Sequence, residues 1–325
     1  MQKQTPLISV IMPLYNAERF VGESIENVLR QTVGDFELIV IDDASTDASA
    51  EIARAYAAKD DRIVLMHNEL NSGAARTRNR ALDAARGKFI TFMDADDLCS
   101  PERFAKQLAF FERHPQTDIC GSYYTMFGTR GGGGDGELKI QVPLTHEEIQ
   151  HQLFFGCPFG MSSVMLRSEP FKRTGIRFRE CMAEDYQLWV DLSEHLRMAN
   201  IPEYLTFYRR WEDQISTRQL DRQTLSAQLT QQEQLARKLG VRLSDDEARI
   251  FTRFSLRTGD VKKRELASYR RILTRLYKAG IRHSHDPKLL KRQLMRRYKM
   301  ACGLFYPSWR VWIHKRLFLV RLLAS

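Results

Sequence analysis

Acidic residues in this chain gather where apolar runs stop. Phe89-Ile90-Thr91-Phe92-Met93 is an aromatic and β-branched stretch that runs straight into Asp94-Ala95-Asp96-Asp97. Carboxylates at the end of a buried strand cost desolvation energy unless something positive neutralises them. Asp94 and Asp96 are two apart, so while the chain stays extended they point to one side. Two hard oxygen donors on one side suit a partly hydrated Mg²⁺ or Mn²⁺ that also takes phosphate oxygens. The same acids would serve equally as plain caps of the helix that Ser100-Pro101 opens. Asp42-Asp43 closes a second apolar run, and Glu184-Asp185 opens a helical pattern carrying Leu188, Trp189 and Leu192. That last pair favours a helix N-terminus by dipole alone, yet a carboxylate there can also take a proton.

The elements that must position these acids alternate. Leu7 to Met12 reads as a strand ending at Pro13, Ala17 to Gln31 as a helix, and Phe36 to Ile41 as a second strand. Ser49 to Ala58 is a short helix, Arg62 to His67 a third strand, Ala74 to Ala85 a helix, and Lys88 to Met93 a fourth strand. Strand and helix in turn, with short connections, predict an α/β fold: a mostly parallel sheet covered by helices on both faces. Ligands of such sheets sit beyond the carboxyl ends of the strands. Pro13 to Asn16, Asp42-Asp43, Asn71 to Ala75 and Asp94 to Asp97 all fall there. Further on, Phe104 to His114 and Glu184 to Leu196 read as helices, and Asp118 to Phe127, Ser162 to Arg167 and Tyr204 to Arg209 as strands. Gly131 to Gly134 reads as a hairpin tip, since it lacks the Lys and Ser/Thr of a P-loop. From Leu220 the pattern is helical, which places an α/β domain at residues 1–215 and a basic helical module at 216–325.

Hydrophobic content of 43% and charged content of 28% describe an ordinary globular protein. The cysteines Cys99, Cys120, Cys157, Cys181 and Cys302 stand far apart without a CxxC pair. Neither a zinc site nor a disulfide framework is indicated, and a reducing cytoplasm fits best. The first strand begins too early to leave room for a signal peptide, and no apolar run approaches the ~18 residues of a membrane span. Residues 1–210 carry 24 Lys and Arg against 30 Asp and Glu; residues 211–325 carry 26 against 10. A net −6 followed by +16 suggests two modules with different partners. Lys291 to Lys299 is densely basic, and Arg310 to Arg321 interleaves Trp312, Ile313, Phe318 and Leu319 with charge. That composition suits an anionic membrane surface, and a solvated basic cap would look the same. Nucleic acid competes for the charge but no binding motif supports it, so none is expected.

Five segments, in order, resemble the family 2 glycosyltransferases over the first two-thirds of the chain. They are Val10 to Ala17; Asp35 to Asp47; Asn71-Ser72-Gly73-Ala74-Ala75-Arg76-Thr77-Arg78-Asn79; Asp94-Ala95-Asp96, similar to the DxD motif; and Glu184-Asp185-Tyr186-Gln187-Leu188-Trp189. The resemblance implies a GT-A fold and inverting transfer of a sugar from a nucleotide-sugar, UDP-linked first, with Mn²⁺ or Mg²⁺. It implies nucleotide contacts at Pro13, Tyr15, Asp43 and Asp94, with Arg78 (and Arg76) near the phosphates. It also implies metal ligation by Asp96, general-base work by Asp185, and acceptor orientation by Glu184. The acceptor would be a glycan or glycolipid of surface polysaccharide or lipopolysaccharide synthesis, met by a peripheral enzyme at the inner face of the cytoplasmic membrane. A non-catalytic nucleotide-sugar-binding scaffold on the same fold is the alternative. One departure stands out: many members read Tyr-Arg-x-His after the last strand, and here Tyr208-Arg209-Arg210 is followed by Trp211, to which the resemblance assigns no role.

Overall fold

The computed structural model describes residues 5–128, 136–212, 214, 218–258, 261–281, 286–306, 311, 314–315 and 318–319. They divide into two compact units. The first comprises Met1–Ile149 with Pro158–Gln219, and the second Leu220–Ser325 with Gln150–Cys157. The short internal segment joins the helical unit because Phe154 and Phe155 are buried in its core.

The first unit opens with β1 (Ile8–Leu14), α1 (Val21–Leu29), β2 (Phe36–Asp42), α2 (Ser49–Ala57), β3 (Ile63–His67), α3 (Ala74–Ala84) and β4 (Phe89–Phe92). β3, β2, β1 and β4 lie side by side and parallel, with Val10 facing Leu38 on one side and Thr91 on the other. Every residue of β2 is buried, as expected for a central parallel strand covered on both faces. Pro13 stays within β1 rather than ending it. It lies beyond the last β1–β4 partners, Ile11 and Phe92, so its missing N–H removes no rung on that side. Gly87, just before β4, is needed for room: a Cβ there would meet the Ser9 amide at 2.5 Å.

The chain continues through β5 (Leu98–Cys99), α4 (Arg103–Arg113), β6 (Ile119–Phe127), β7 (Leu138–Ile140), α5 (His146–Leu153), β8 (Met165–Arg167), α6 (Ser168–Thr174), α7 (Glu184–Leu192) and β9 (Met198–Arg209). Here the sheet turns mixed. β8 runs antiparallel to β4 and β6, and β9 lies parallel to β6 and antiparallel to β5. The expected strand from Ser162 is shorter than its apolar pattern suggests, because Met161–Ser163 forms a 3₁₀ turn. Serine hydroxyls that bond locally compete with a sheet ladder: Ser163 Oγ donates to Gly160 O at 2.7 Å. The glycine-rich run at 131–134 lies outside the described residues. β6 and β7, which flank it, pair antiparallel, Tyr124 facing Ile140.

The second unit contains α8 (Leu220–Leu239), α9 (Asp245–Leu256), α10 (Leu266–Ile281) and α11 (Pro287–Gly303). Leu235, Phe251, Tyr269, Leu273, Leu294 and Tyr298 pack its core. Ser244 and Glu247 form a capping box at α9, and Asp286 caps α11 ahead of Pro287. Most of 310–321 lies outside the described residues. No helix of the described residues is long and apolar enough to cross a membrane.

Candidate active site

All the acidic motifs fall in the first unit, and the parallel strands bring several to one edge. At the end of β2, Asp43 is buried and organises the connection to α3. Its Oδ1 accepts from Asn68 Nδ2 at 2.6 Å, Ser72 N at 2.9 Å and Ser72 Oγ at 2.8 Å, and its Oδ2 from Gly73 N at 2.8 Å. Burial alone would raise this carboxyl, but those donors outweigh it and hold it below the usual carboxylate range. An ionised carboxylate offers about four acceptor positions, so Oδ2 keeps room for one more donor. Asn16, two residues past β1, takes a left-handed backbone at φ 47° and ties this turn to its neighbour by accepting from Thr46 N at 2.8 Å. Tyr15 beside it is exposed, and Pro13 sits half-buried in register with Ile41.

At the end of β4 the three acids separate by role. Asp94 keeps its backbone in place through its N–H to Ser162 Oγ at 3.0 Å and pairs its Oδ1 with Arg78 at 2.7 Å. Asp97 is fully buried. It accepts from Ser162 Oγ at 2.6 Å and from Arg209 N at 2.9 Å, so it shapes the turn. Burial, then the charges of Asp96 and Asp94, raise Asp97 well above the usual range. Asp96 lies between them, its Oδ2 accepting from Trp211 Nε1 at 2.8 Å. Burial first and the Asp94 charge second push Asp96 up to about 6, against the pull of the indole N–H. Arg103, fully buried at the head of α4, donates to Thr91 Oγ1 and to Phe92 O at 3.2 Å and so sets a positive charge beneath the turn. Arg209 adds another, its Nε donating to the Asp96 carbonyl at 2.7 Å.

The acid pair of α7 meets this turn through one residue. Arg78 on α3 reaches Asp94 with Nη2 and Glu184 with Nη1, each at 2.7 Å, and its side chain is only 7% exposed. Burial works against its charge, but Asp94 and Glu184 overcome it, so the guanidinium is held more firmly protonated than usual. Arg76, two residues earlier, faces away to a surface pairing with Glu180 at 2.8 Å. Asp185 starts α7 with its Oδ1 accepting from the Tyr186 amide at 2.6 Å. Burial first and the Glu184 charge second push Asp185 up to about 6, against the Tyr186 amide and Arg78. Asp43, Asp94, Asp96, Glu184 and Asp185 thus include one depressed and two raised carboxyls, the spread that acid–base sites use.

Arg103, Ser162, Asp97 and Trp211 also build this site, and sequence reasoning gave none of them a role. Ser162 and Trp211 are distant in the chain and reach the acids only through tertiary folding. Arg103 carried no signal of its own, since its helix also holds Lys106, Gln107, Glu112 and Arg113. Among the described residues no three His, Cys, Asp or Glu side chains gather as a preformed cage. Two carboxylates at a strand end, one pushed to about 6 by burial and by its acidic neighbour, nevertheless suit a divalent cation that completes its shell from phosphate and water.

A Rossmann-like sheet, parallel at one side and mixed at the other, with acids at the carboxyl ends of β2 and β4, is the GT-A architecture of a sugar transferase. Residues 9–175 match the glycosyl transferase family 2, and the chain belongs to that family of enzymes. It is 36% identical over 248 residues to the putative glycosyltransferase EpsE of Bacillus subtilis, covering 74% of this chain and 85% of that protein. It is 32% identical over 217 residues to the putative teichuronic acid biosynthesis glycosyltransferase TuaG of Bacillus subtilis, covering 65% of this chain and 82% of TuaG. Its fold resembles residues 1–349 of S. aureus TarS crystallised with UDP-GlcNAc. That likeness has a TM-score of 0.55 at 22% identity and covers 84% of this chain and 81% of that TarS fragment.

Proposed function

We propose that this glycosyltransferase is an inverting enzyme that moves a sugar from a nucleotide-sugar, foremost a UDP-sugar, to a glycan or glycolipid acceptor of surface polysaccharide or lipopolysaccharide synthesis. The observation that carries the reading is the Arg78 bridge between Asp94 and Glu184, which joins the end of β4 to the head of α7. The uracil is favoured by Asp43, whose Oδ2 keeps an acceptor position for an N3–H, and by the UDP-GlcNAc complex of TarS. The surface-polymer acceptor is supported by the name of TuaG.

Pro13 and Tyr15 would flank the base, and Asp94 the ribose. Mn²⁺ or Mg²⁺ held by Asp96, with Asp94 beside it, would supply Lewis-acid neutralisation of the departing diphosphate. Asp185 does the proton chemistry. As an acceptor hydroxyl attacks the anomeric carbon from the face opposite the diphosphate, its oxygen forms the new C–O bond while the old one breaks, and the nucleoside diphosphate leaves with that bond's electron pair. The hydroxyl proton passes to the Asp185 carboxylate, whose raised position near 6 suits a base working near neutrality. Glu184, committed to Arg78, orients rather than accepts. The basic helical unit would hold the enzyme against the anionic inner leaflet, beside a lipid-linked acceptor.

Nucleotide release from a panel of UDP-sugars with Mn²⁺ tests this. Asp185→Asn should keep donor affinity and lose about 10²–10⁴ in turnover. Release at the wild-type rate from Asp185→Asn would remove Asp185 from the mechanism. Tight UDP binding without turnover of any donor would return the chain to the non-catalytic scaffold.

A further inference from the structure

Trp211 stands at the point where a histidine was expected. An indole has one N–H donor and no lone pair to offer a cation. It therefore cannot itself ligate a cation, yet it is not an idle core residue. Its Nε1 donates to Asp96 Oδ2 at 2.8 Å, and Gln214 Nε2 addresses the same oxygen at 3.5 Å. Among the described residues no other side chain or amide from elsewhere in the chain donates to Asp96 Oδ1, so the two carboxylate oxygens are differentiated.

The indole is itself fixed. Its ring packs against Phe20 with centroids 5.3 Å apart, and the Arg209 guanidinium lies 4.8 Å from the other end of that contact, over the Phe20 ring. Arg209 closes the circuit through its Nε to the Asp96 carbonyl and its Nη2 to Glu23 of α1 at 2.6 Å. Gln214 is anchored to the same segment, donating to Tyr208 Oη and Arg209 O, both at 3.0 Å. A rigid donor supported on two elements is what orients a carboxylate before a cation arrives, and such partners govern metal affinity nearly as strongly as the ligands do.

We propose that Trp211 is a positioning residue for the divalent cation. It pins Oδ2 of Asp96 through the indole N–H, so that Asp96 presents its other oxygen in a fixed direction. This rests on the reading above, in which Asp96 holds the cation.

The test is Mn²⁺ affinity, read as free Mn²⁺ by electron paramagnetic resonance in the presence of UDP, for the wild type, Trp211→Phe and Asp96→Asn. Trp211→Phe keeps an aromatic ring to face Phe20 and removes the N–H donor together with part of the indole. It should weaken Mn²⁺ binding by about 10–100-fold, while UDP affinity in EDTA and the melting temperature stay at wild-type values. If Asp96→Asn weakens Mn²⁺ and Trp211→Phe stays within about twofold, the positioning role is wrong and the cation site stands. If neither weakens it, the assignment of Asp96 fails and takes this inference with it. A Trp211→Phe protein that also loses metal-free UDP affinity and thermal stability would make Trp211 a packing residue only, which overturns the proposal.

Discussion

Asp185 and Asp43 sit on the same fold and titrate in opposite directions. Both are desolvated. Asp43 faces four donors and is pulled down, whereas Asp185 faces Glu184 and is pushed up to about 6. A base must be ionised to work, so kcat/KM at saturating Mn²⁺ should fall as pH drops through about 6, and Asp185→Asn should flatten that limb. The stability of the metal-free protein runs the other way. Raised carboxyls such as Asp97 and Asp185 bind protons in the folded state that the unfolded chain would release. Their contribution is complete below the ordinary carboxyl range near 4 and is lost as pH rises through the raised values. Thermal melts of the EDTA-treated protein should therefore move upward between pH 7.5 and 5. Asp43 contributes in the opposite sense, but only as pH falls below its ordinary range, outside that window. A melting temperature that does not move between pH 7.5 and 5 would mean that these carboxyls are solvated.

The connection from β3 to α3 carries most of the donors around Asp43, and it turns on Gly73. Its φ of 83° and ψ of 160° lie in a region essentially restricted to glycine. Its amide is also the donor to Asp43 Oδ2. Gly73→Ala should cost about 1–3 kcal/mol in stability, and nucleotide affinity measured by calorimetry should fall with it. Ala74→Gly, one position on, should leave nucleotide affinity near the wild-type value. The glycine was legible in the sequence as part of a motif, and so were the strands β1 to β4, because each writes a short, mostly apolar run rich in β-branched or aromatic residues. The mixed side was harder. β9 begins six residues before its apolar, aromatic stretch, at Met198, and its pairing with β6 shifts register between Ser122 and Tyr124. A bulged strand keeps no strict two-residue period, so that extension left no pattern to read. The acids were visible one by one, but the cations and donors around them were not. Arg103, Arg209 and Trp211 become partners of Asp96 and Asp97 only when α4 and the end of β9 fold against the turn after β4.

At the scale of the molecule, the charge boundary in the sequence, near residue 211, nearly coincides with the structural division at Gln219 and Leu220. The acidic unit holds the site, and the basic unit is a helical bundle with its own core. Basic residues occur on all four helices of that bundle, and four of them form a stripe. On α11, Lys288, Arg292, Arg296 and Lys299 are all exposed and recur every three to four residues, so they share one face of the helix. Leu290, Leu294, Tyr298 and Ala301 take the buried side. A basic stripe of this kind gains about 1 kcal/mol per Lys or Arg near an anionic leaflet at low salt, and the gain fades within a Debye length. Exchanging all four for Ala leaves the buried face and the Asp286 cap untouched. The variant should stay folded and lose roughly two to three orders of magnitude in partition onto phosphatidylserine vesicles at low salt. Wild-type binding should itself weaken as salt is raised, and should be absent on purely zwitterionic vesicles. Sedimentation with the two vesicle types at two salt concentrations checks all of this. Salt-insensitive binding that the four substitutions do not change would locate the membrane contact elsewhere in the chain and leave α11 as a solvated face.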